Sequence, residues 1–164
     1  MWHHVNMKKG STLFLRFILC AAAVAALIAL LVFPQREGRA QGLGLISIYA
    51  DRLIIYSYIA SIPFFIGLHQ AYRLLDLIDA NKAFTHDAIC RLKNIKIASL
   101  SMIGAVAAAI IFVRFFAQGD DPAGPTTLGI MLIMVFGVIA TAAALFQRLF
   151  QNALDLKLEN DLTI

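Results

Sequence analysis

Charge is scarce in this sequence: Asp, Glu, Lys and Arg make up 15% of its 164 residues, against about 25% in a typical soluble domain. Apolar and aromatic residues make up 60%, and the mean hydropathy is +0.78. A chain of this length cannot bury so much apolar surface in one water-soluble core. The composition therefore excludes a soluble globular domain, a disordered chain and a basic nucleic-acid-binding module. It indicates an integral membrane protein.

Residues that carry chemistry are also scarce. The sequence has two cysteines and four histidines, and no two histidines have the i, i+4 spacing of helical metal ligands. It contains no Gly-x-x-x-x-Gly-Lys phosphate loop, no Gly-x-Ser-x-Gly elbow and no paired carboxylates inside an apolar run. We therefore expect no catalytic residue, no metal site and no cofactor, and Cys20 and Cys90 are expected to be inert thiols.

Long uncharged stretches are what the sequence has instead. Four of them run for 17 to 23 residues, at 17–33, 53–72, 97–113 and 125–147. A transmembrane helix needs about 20 residues, and a segment in hydrocarbon must satisfy its own backbone hydrogen bonds as a helix. The sequence predicts an all-α fold, a single transmembrane four-helix bundle over residues 1–164. Its spans are expected at about 12–33, 47–72, 96–116 and 125–147.

The first span includes Arg16 on the expectation that this long side chain reaches the headgroups. A cleaved signal peptide is the alternative interpretation of the N-terminus. The apolar run there is longer than the roughly 7–15 residues of a signal peptide, which disfavours cleavage. Translation could start at Met1 or at Met7, which Lys8 and Lys9 follow directly.

Basic residues are distributed unevenly between the segments that connect these spans. Ten of the 14 Lys and Arg residues fall in the N-terminal segment, in the middle connection 73–95 with its flank, or in the tail 148–164. The other two connections carry Arg36, Arg39, Arg52 and Arg114. By the positive-inside rule, both termini and the middle connection face the cytoplasm, which gives an N-in, C-in topology.

The two longest cytoplasmic segments read as helical. Apolar residues at helical spacing continue the second span towards Asp79, Asn81 is able to adopt a left-handed cap conformation, and Thr85 is a good N-cap for the next helix. The sequence predicts a cytoplasmic helical hairpin at 73–95. In the tail 148–164, an apolar stripe every four residues predicts a helix that packs against this hairpin: Phe146, Phe150, Leu154 and Leu158.

Two further features concern contacts within the membrane. Asp51 and Arg52 stand at the outer start of the second span and Arg114 at the outer end of the third, so we expect an interfacial ion pair among them. Small residues four apart predict close helix contacts within the chain. These pairs are Ala22/Ala26, Gly104/Ala108 and Gly137/Thr141.

Three blocks of this chain resemble a known family. The chain resembles the bacterial multi-pass membrane family called domain of unknown function 2975 in three segments: Leu75–Thr85, Leu92-Lys93-Asn94-Ile95-Lys96 and the terminal Glu159-Asn160-Asp161-Leu162-Thr163-Ile164. The resemblance implies a bacterial inner-membrane protein without established activity, in a family often encoded beside a small helix-turn-helix regulator. Ala88 departs from a full capping box, which has an acidic residue there.

These features favour a non-enzymatic regulatory or signalling protein that contacts the lipid bilayer and a cytoplasmic protein, and no direct nucleic-acid binding is expected. A small transporter or channel subunit is the alternative, disfavoured because no span carries a mid-membrane charge and the helices show no internal repeat. The sequence does not indicate an oligomeric state. The expected interaction surface comprises Phe84, Thr85, Lys93, Lys96, Leu158, Glu159, Asp161 and Ile164.

Overall fold

The computed structural model describes residues 3–36, 52–116 and 123–161, and the regular structure in these ranges is entirely helical. The helices are α1 (His3–Arg36), α2 (Arg52–Asp79), α3 (His86–Phe116) and α4 (Ala123–Asp161). Each contains a segment long and apolar enough to cross a membrane. The predicted all-α fold with four membrane-spanning helices is therefore confirmed, and the orientation of the helices in the bilayer remains a prediction.

The helices pack in chain order. Helix α1 packs against α2, α2 against α3, and α3 against α4, and the α3–α4 interface is the most extensive of the three. None of the most apolar segment of α1 is buried inside the protein, whereas 22% of that of α4 is. The described part of the chain is therefore a three-helix core, α2 to α4, with α1 attached along one side of α2.

The buried side chains of this core concentrate near the connection between α2 and α3. Ala88 is 0% exposed and Leu92 is 4% exposed, and Leu75 of α2 and Ile89 of α3 are also buried. Further buried residues follow along the helices: Ile54, Ala98, Ser99, Phe136, Ala140 and Ala143. The least exposed side chain, Ala88, lies where charged residues interrupt the apolar sequence. Apolar burial is expected to stabilise the fold most at such a position, because water drives apolar side chains together and lipid does not.

Small residues bring the core helices close together, although not at the predicted positions. An ideal Cβ built on Gly129 of α4 would lie 2.7 Å from Ile110 Cδ1 of α3, and one on Gly67 would lie 3.4 Å from Ala98 Cβ. A Cβ on Gly104 or on Gly137 would meet no described atom within 4 Å. The prediction that Gly104 and Gly137 make close helix contacts is therefore wrong.

Two tyrosine hydroxyl groups link helices inside the apolar region. Tyr58 of α2 donates a hydrogen bond to the carbonyl oxygen of Leu30 in α1 at 2.9 Å, and Tyr56 donates to that of Ala105 in α3 at 2.7 Å. A hydroxyl group in hydrocarbon has no water to bind, so these bonds also satisfy the tyrosines. Together with the contacts of Arg16 with Asp79 and of Gln70 with Arg91, they show that α1 and α3 run antiparallel to α2.

Candidate interaction surface at the turn end

Residues 80–85 form the turn between α2 and α3, and the end of the bundle that contains them is called the turn end below. Asn81 has φ 57°, the left-handed conformation expected of it. The Lys82 N–H donates to Leu77 O at 2.8 Å and the Asn81 N–H to Ile78 O at 3.1 Å. This pair of bonds is a Schellman motif, which satisfies the last carbonyl groups of α2.

Thr85 organises the start of α3. Its hydroxyl group donates to Lys82 O at 2.8 Å and accepts a long, 3.5 Å hydrogen bond from the Ala88 N–H. Thr85 thus occupies the N-cap position, and Asp87 lies in the first helical turn, where the helix dipole favours negative charge. The turn is a rigid connection of six residues that fixes the relative positions of α2 and α3.

The tail of α4 packs against this turn through aromatic rings. The Phe84 and Phe150 ring centroids are 5.2 Å apart at an interplanar angle of 65°, and the Phe146 and Phe150 centroids are 6.4 Å apart. Edge-to-face contacts of this kind add about 0.5–1.5 kcal/mol to the burial of the rings. The predicted contact between the apolar stripe of the tail and the turn is therefore present at Phe150.

Beyond Phe150 the helical tail of α4 extends past the turn between α2 and α3. Helix α4 extends to Asp161, which is 11 residues or about 16 Å of helix after Phe150. Leu154 and Leu158 lie on the same face as Phe150 because they follow it at intervals of four residues. Leu154 is half-buried, whereas Leu158 is 54% exposed. The apolar face of the tail therefore continues beyond the part of it that the turn covers.

An arginine anchors α1 to the same end of the bundle. Arg16 Nη2 lies 2.8 Å from Asp76 Oδ1 and 2.7 Å from Asp79 Oδ2, both on α2. Its guanidinium carbon lies 5.2 Å from the centroid of the Tyr72 ring, within the range of a cation–π interaction. Each charged side chain keeps about a third of its surface exposed. This cluster joins α1 to the last two turns of α2.

The sequence interpretation assigned Arg16 only to the headgroup region and gave Asp76 and Asp79 no partner. The two acids are three residues apart and so share one face of α2. That spacing was a signal for a shared cation. A second polar contact nearby ties α2 to α3, since Arg91 Nη1 donates to Gln70 Oε1 at 2.8 Å.

The structure places most of the predicted interaction residues at the turn end. Phe84 is 51% exposed despite its contact with Phe150, and Lys93, Leu158 and Glu159 are exposed. Lys96 is half-buried in α3. Asp161 is the last residue of α4, and Ile164 lies outside the described residues. The turn thus brings Phe84 against Phe150 of the tail.

The predicted outer ion pair depends on a residue that the structure does not describe. Asp51 lies outside the described residues, and Arg52 is the first residue of α2. Arg114 is exposed in the last turn of α3. That pair remains a prediction.

The described residues contain no group of three or more His, Cys, Asp or Glu side chains placed to hold a metal ion. Both cysteines are free and exposed. The polar groups at the turn end form an ion-pair cluster and helix caps. The turn end is therefore a folded surface of mixed charge on which Phe84 and Leu158 are exposed.

Comparison with known proteins also indicates a membrane protein. The family model described as "Protein of unknown function (DUF2975)" matches residues 15–164. The chain is 36% identical over 160 residues to the uncharacterized membrane protein YoaS of Bacillus subtilis (strain 168), and the alignment covers 96% of this chain and 100% of that protein. No solved structure matches the chain.

Proposed function

The chain belongs to the DUF2975 family of proteins of unknown function, and we propose that it is a non-enzymatic membrane protein that binds a cytoplasmic regulatory protein through its turn end. The occupant that fits the proposal is a soluble regulator, such as the small helix-turn-helix protein that the family resemblance implies. The proposal places the protein in the bacterial cytoplasmic membrane with both termini inside.

The observation that carries this proposal is the continuation of α4. Its face of Phe150, Leu154 and Leu158 is covered by the turn at Phe150 and uncovered at Leu158, which is 54% exposed. Lys157 and Glu159 flank Leu158 with opposite charges. An apolar position within mixed charge on an ordered helix is the pattern of a helix that lies in a groove of a protein partner.

Charge argues against membrane binding by this part of the tail. An interfacial helix that lies flat on anionic lipid carries several Lys and Arg residues on its polar face. After Arg148, the tail has Lys157 as its single basic residue against Asp155, Glu159 and Asp161. The acidic excess favours projection into the cytoplasm, where a protein can reach the tail.

The experiment compares two leucines of the tail. Leu158 lies on the face of Phe150, and Leu156, which is 64% exposed, lies about 200° around the helix from it. Crosslinking and affinity purification from native membranes would use the parent chain, Leu158→Asp, Leu156→Asp and a truncation that removes 159–164. The expression of genes controlled by a co-encoded regulator provides a second readout.

We expect the parent and Leu156→Asp to capture the same cytoplasmic regulator, and Leu158→Asp and the truncation to lose it with a change in transcripts. All four proteins should accumulate equally, because the substitutions are exposed and the truncation leaves every apolar span intact. Equal capture by all four, with unchanged transcripts, would contradict the proposal.

A further inference from the structure

A polar cleft lies between α3 and α4, separate from the face that binds the turn. It is lined by Lys96, Ala144, Gln147, Arg148 and Gln151, and its volume is about 220 Å³. Both charged side chains in this lining are cationic. Neither forms an ion pair with a described residue, so their charges are not compensated within the described protein.

The chemistry of the lining suits a phosphate group. Lys96 offers an ammonium group and Arg148 a guanidinium group, and charge-assisted hydrogen bonds from such donors to phosphate oxygens are among the strongest in proteins. Gln147 adds amide hydrogens. The Gln151 amide already donates to Asp155 Oδ1, one turn further along α4 and outside the lining, at 3.4 Å, so the donors left to an anion are those of Lys96, Arg148 and Gln147. An anion in the cleft would meet two cations.

The position of the cleft along the helices identifies the source of the phosphate. Lys96 directly precedes the uncharged run 97–113, and Arg148 directly follows the uncharged run 125–147. Both side chains therefore lie at the boundary between the apolar and the charged parts of the bundle. Lipid phosphates occupy this level of a bilayer, and basic pockets between transmembrane helices there bind anionic headgroups.

The helix surfaces that lead from the cleft into the span leave room for an acyl chain. Leu100 and Gly104 follow Lys96 at intervals of four residues, and Leu100 is 53% exposed. On α4, Gly137 lies three turns before Arg148, on the same side of the helix. A Cβ on either glycine would meet no described atom within 4 Å. The open glycines form a shallow apolar track beneath the cationic cleft.

We infer that the cleft of Lys96 and Arg148 binds an anionic phospholipid, with the phosphate between the two cations and one acyl chain along Gly104 and Gly137. The protein would carry a specific lipid at the cytoplasmic side of the α3–α4 interface. This inference is independent of the proposed partner, because the cleft and the Leu158 face use different residues.

Native mass spectrometry of the full-length protein in detergent tests the inference. The probes are phosphatidylglycerol, zwitterionic phosphatidylcholine and inorganic phosphate. The variants are Lys96→Gln, Arg148→Gln and the double substitution, with Arg148→Lys to retain the charge. Lys93→Gln and Lys157→Gln are matched controls, because both lysines are exposed on the same two helices and neither lines the cleft.

We expect one phosphatidylglycerol to be retained per chain, with phosphatidylcholine bound more weakly. Each cleft substitution should lower the affinity for phosphatidylglycerol about fivefold and the double substitution about 25-fold, the loss expected for basic residues at a membrane surface. Arg148→Lys and the two controls should stay within about twofold of the parent. Gly137→Leu should weaken lipid binding without unfolding the protein, because it fills the track.

Equal phosphatidylglycerol affinity in the parent and the double variant would overturn the inference. An equal loss in the lysine controls would also overturn it, since binding would then follow net charge. Inorganic phosphate that binds as tightly as phosphatidylglycerol would show that the cleft takes a free anion and would refute the lipid assignment. Circular dichroism of every variant separates lost binding from lost folding.

Discussion

Helix α1 and the three-helix core of α2 to α4 are held in different ways. The core has buried side chains in all three helices and close approaches at Gly67 and Gly129. No side chain in the most apolar part of α1 is fully buried, and its specific links to α2 are polar, through Arg16 at one end and the Leu30 carbonyl near the other. In lipid, an apolar surface gains nothing from leaving the solvent. A helix without close packing therefore depends on its polar contacts.

The largest loss of stability is expected from the core at the turn end. Leu92→Ala should lower the free energy of unfolding by about 2–5 kcal/mol, because Leu92 is buried among charged neighbours where water provides the alternative environment. Leu100→Ala, on the exposed side of the same helix, should cost less than about 0.5 kcal/mol. Denaturant titration in detergent compares the two, and equal losses would show that the core is not where the structure places it.

The next effect distinguishes close packing from open helix surface. Gly129→Leu should destabilise the protein by about 1–3 kcal/mol, because even a Cβ at that position collides with Ile110. Gly137→Leu on the same helix should change stability by no more than about 0.5 kcal/mol. Thermal melts of both variants in detergent give the comparison. If Gly137→Leu melts at the same temperature as Gly129→Leu, Gly137 does contact another helix, contrary to the structure.

A local effect is expected for α1. Arg16→Gln removes both ion pairs and the cation–π contact, so amide hydrogen exchange should rise in α1 while the exchange of α2 to α4 stays unchanged. Arg73→Gln is the matched control, because Arg73 is an exposed cation at the same level of α2. If α1 exchanges equally in the parent and in both variants, the arginine does not anchor it.

The smallest effect comes from a single hydroxyl group. Tyr58→Phe removes the hydrogen bond to Leu30 and should cost about 0.6 kcal/mol, the mean for interhelical bonds within a membrane. Its increase in exchange should be confined to α1. Tyr56→Phe removes a bond of the same type to Ala105 and should instead affect the α2–α3 pair. Identical exchange patterns in the two variants would show that these bonds do not define separate interfaces.

The helix caps and the helices themselves could be predicted from the sequence, because they depend on residues that are close together in the chain. Asn81 and Thr85 act on the backbone within five residues, so their cap positions followed from residue type. The four long helices followed from the length of the uncharged runs. The continuation of α2 and α4 beyond those runs followed from apolar residues at helical spacing. Phe150 was correctly assigned to the packed face of the tail for the same reason.

Contacts between helices were harder to predict. Gly137 matches the small-residue pattern with Thr141, whereas Gly129 has Pro125 and Ile133 four residues away and does not match it. The register between α3 and α4 nevertheless brings Gly129, and not Gly137, against a side chain. A helix in lipid is apolar on every side, so its sequence does not mark the inner face. The Arg16 contacts with Tyr72, Asp76 and Asp79 span 56 to 63 residues of sequence. Charge and residue spacing in the sequence predicted that Cys90 and Leu158 lie at the same end of the bundle. The cleft at Lys96 could be found only in the structure, because it depends on how α3 and α4 pack.

The location of the turn end in the cytoplasm is the central claim, and Cys90 tests it directly. Cys90 is exposed in the first turns of α3, and Cys20→Ser leaves it as the only thiol of the chain. A membrane-impermeant thiol reagent should fail to label this variant in intact cells and should label it in inverted membrane vesicles. Labelling in intact cells with protection in inverted vesicles would place the turn, the tail and the lipid cleft outside, and would contradict the account.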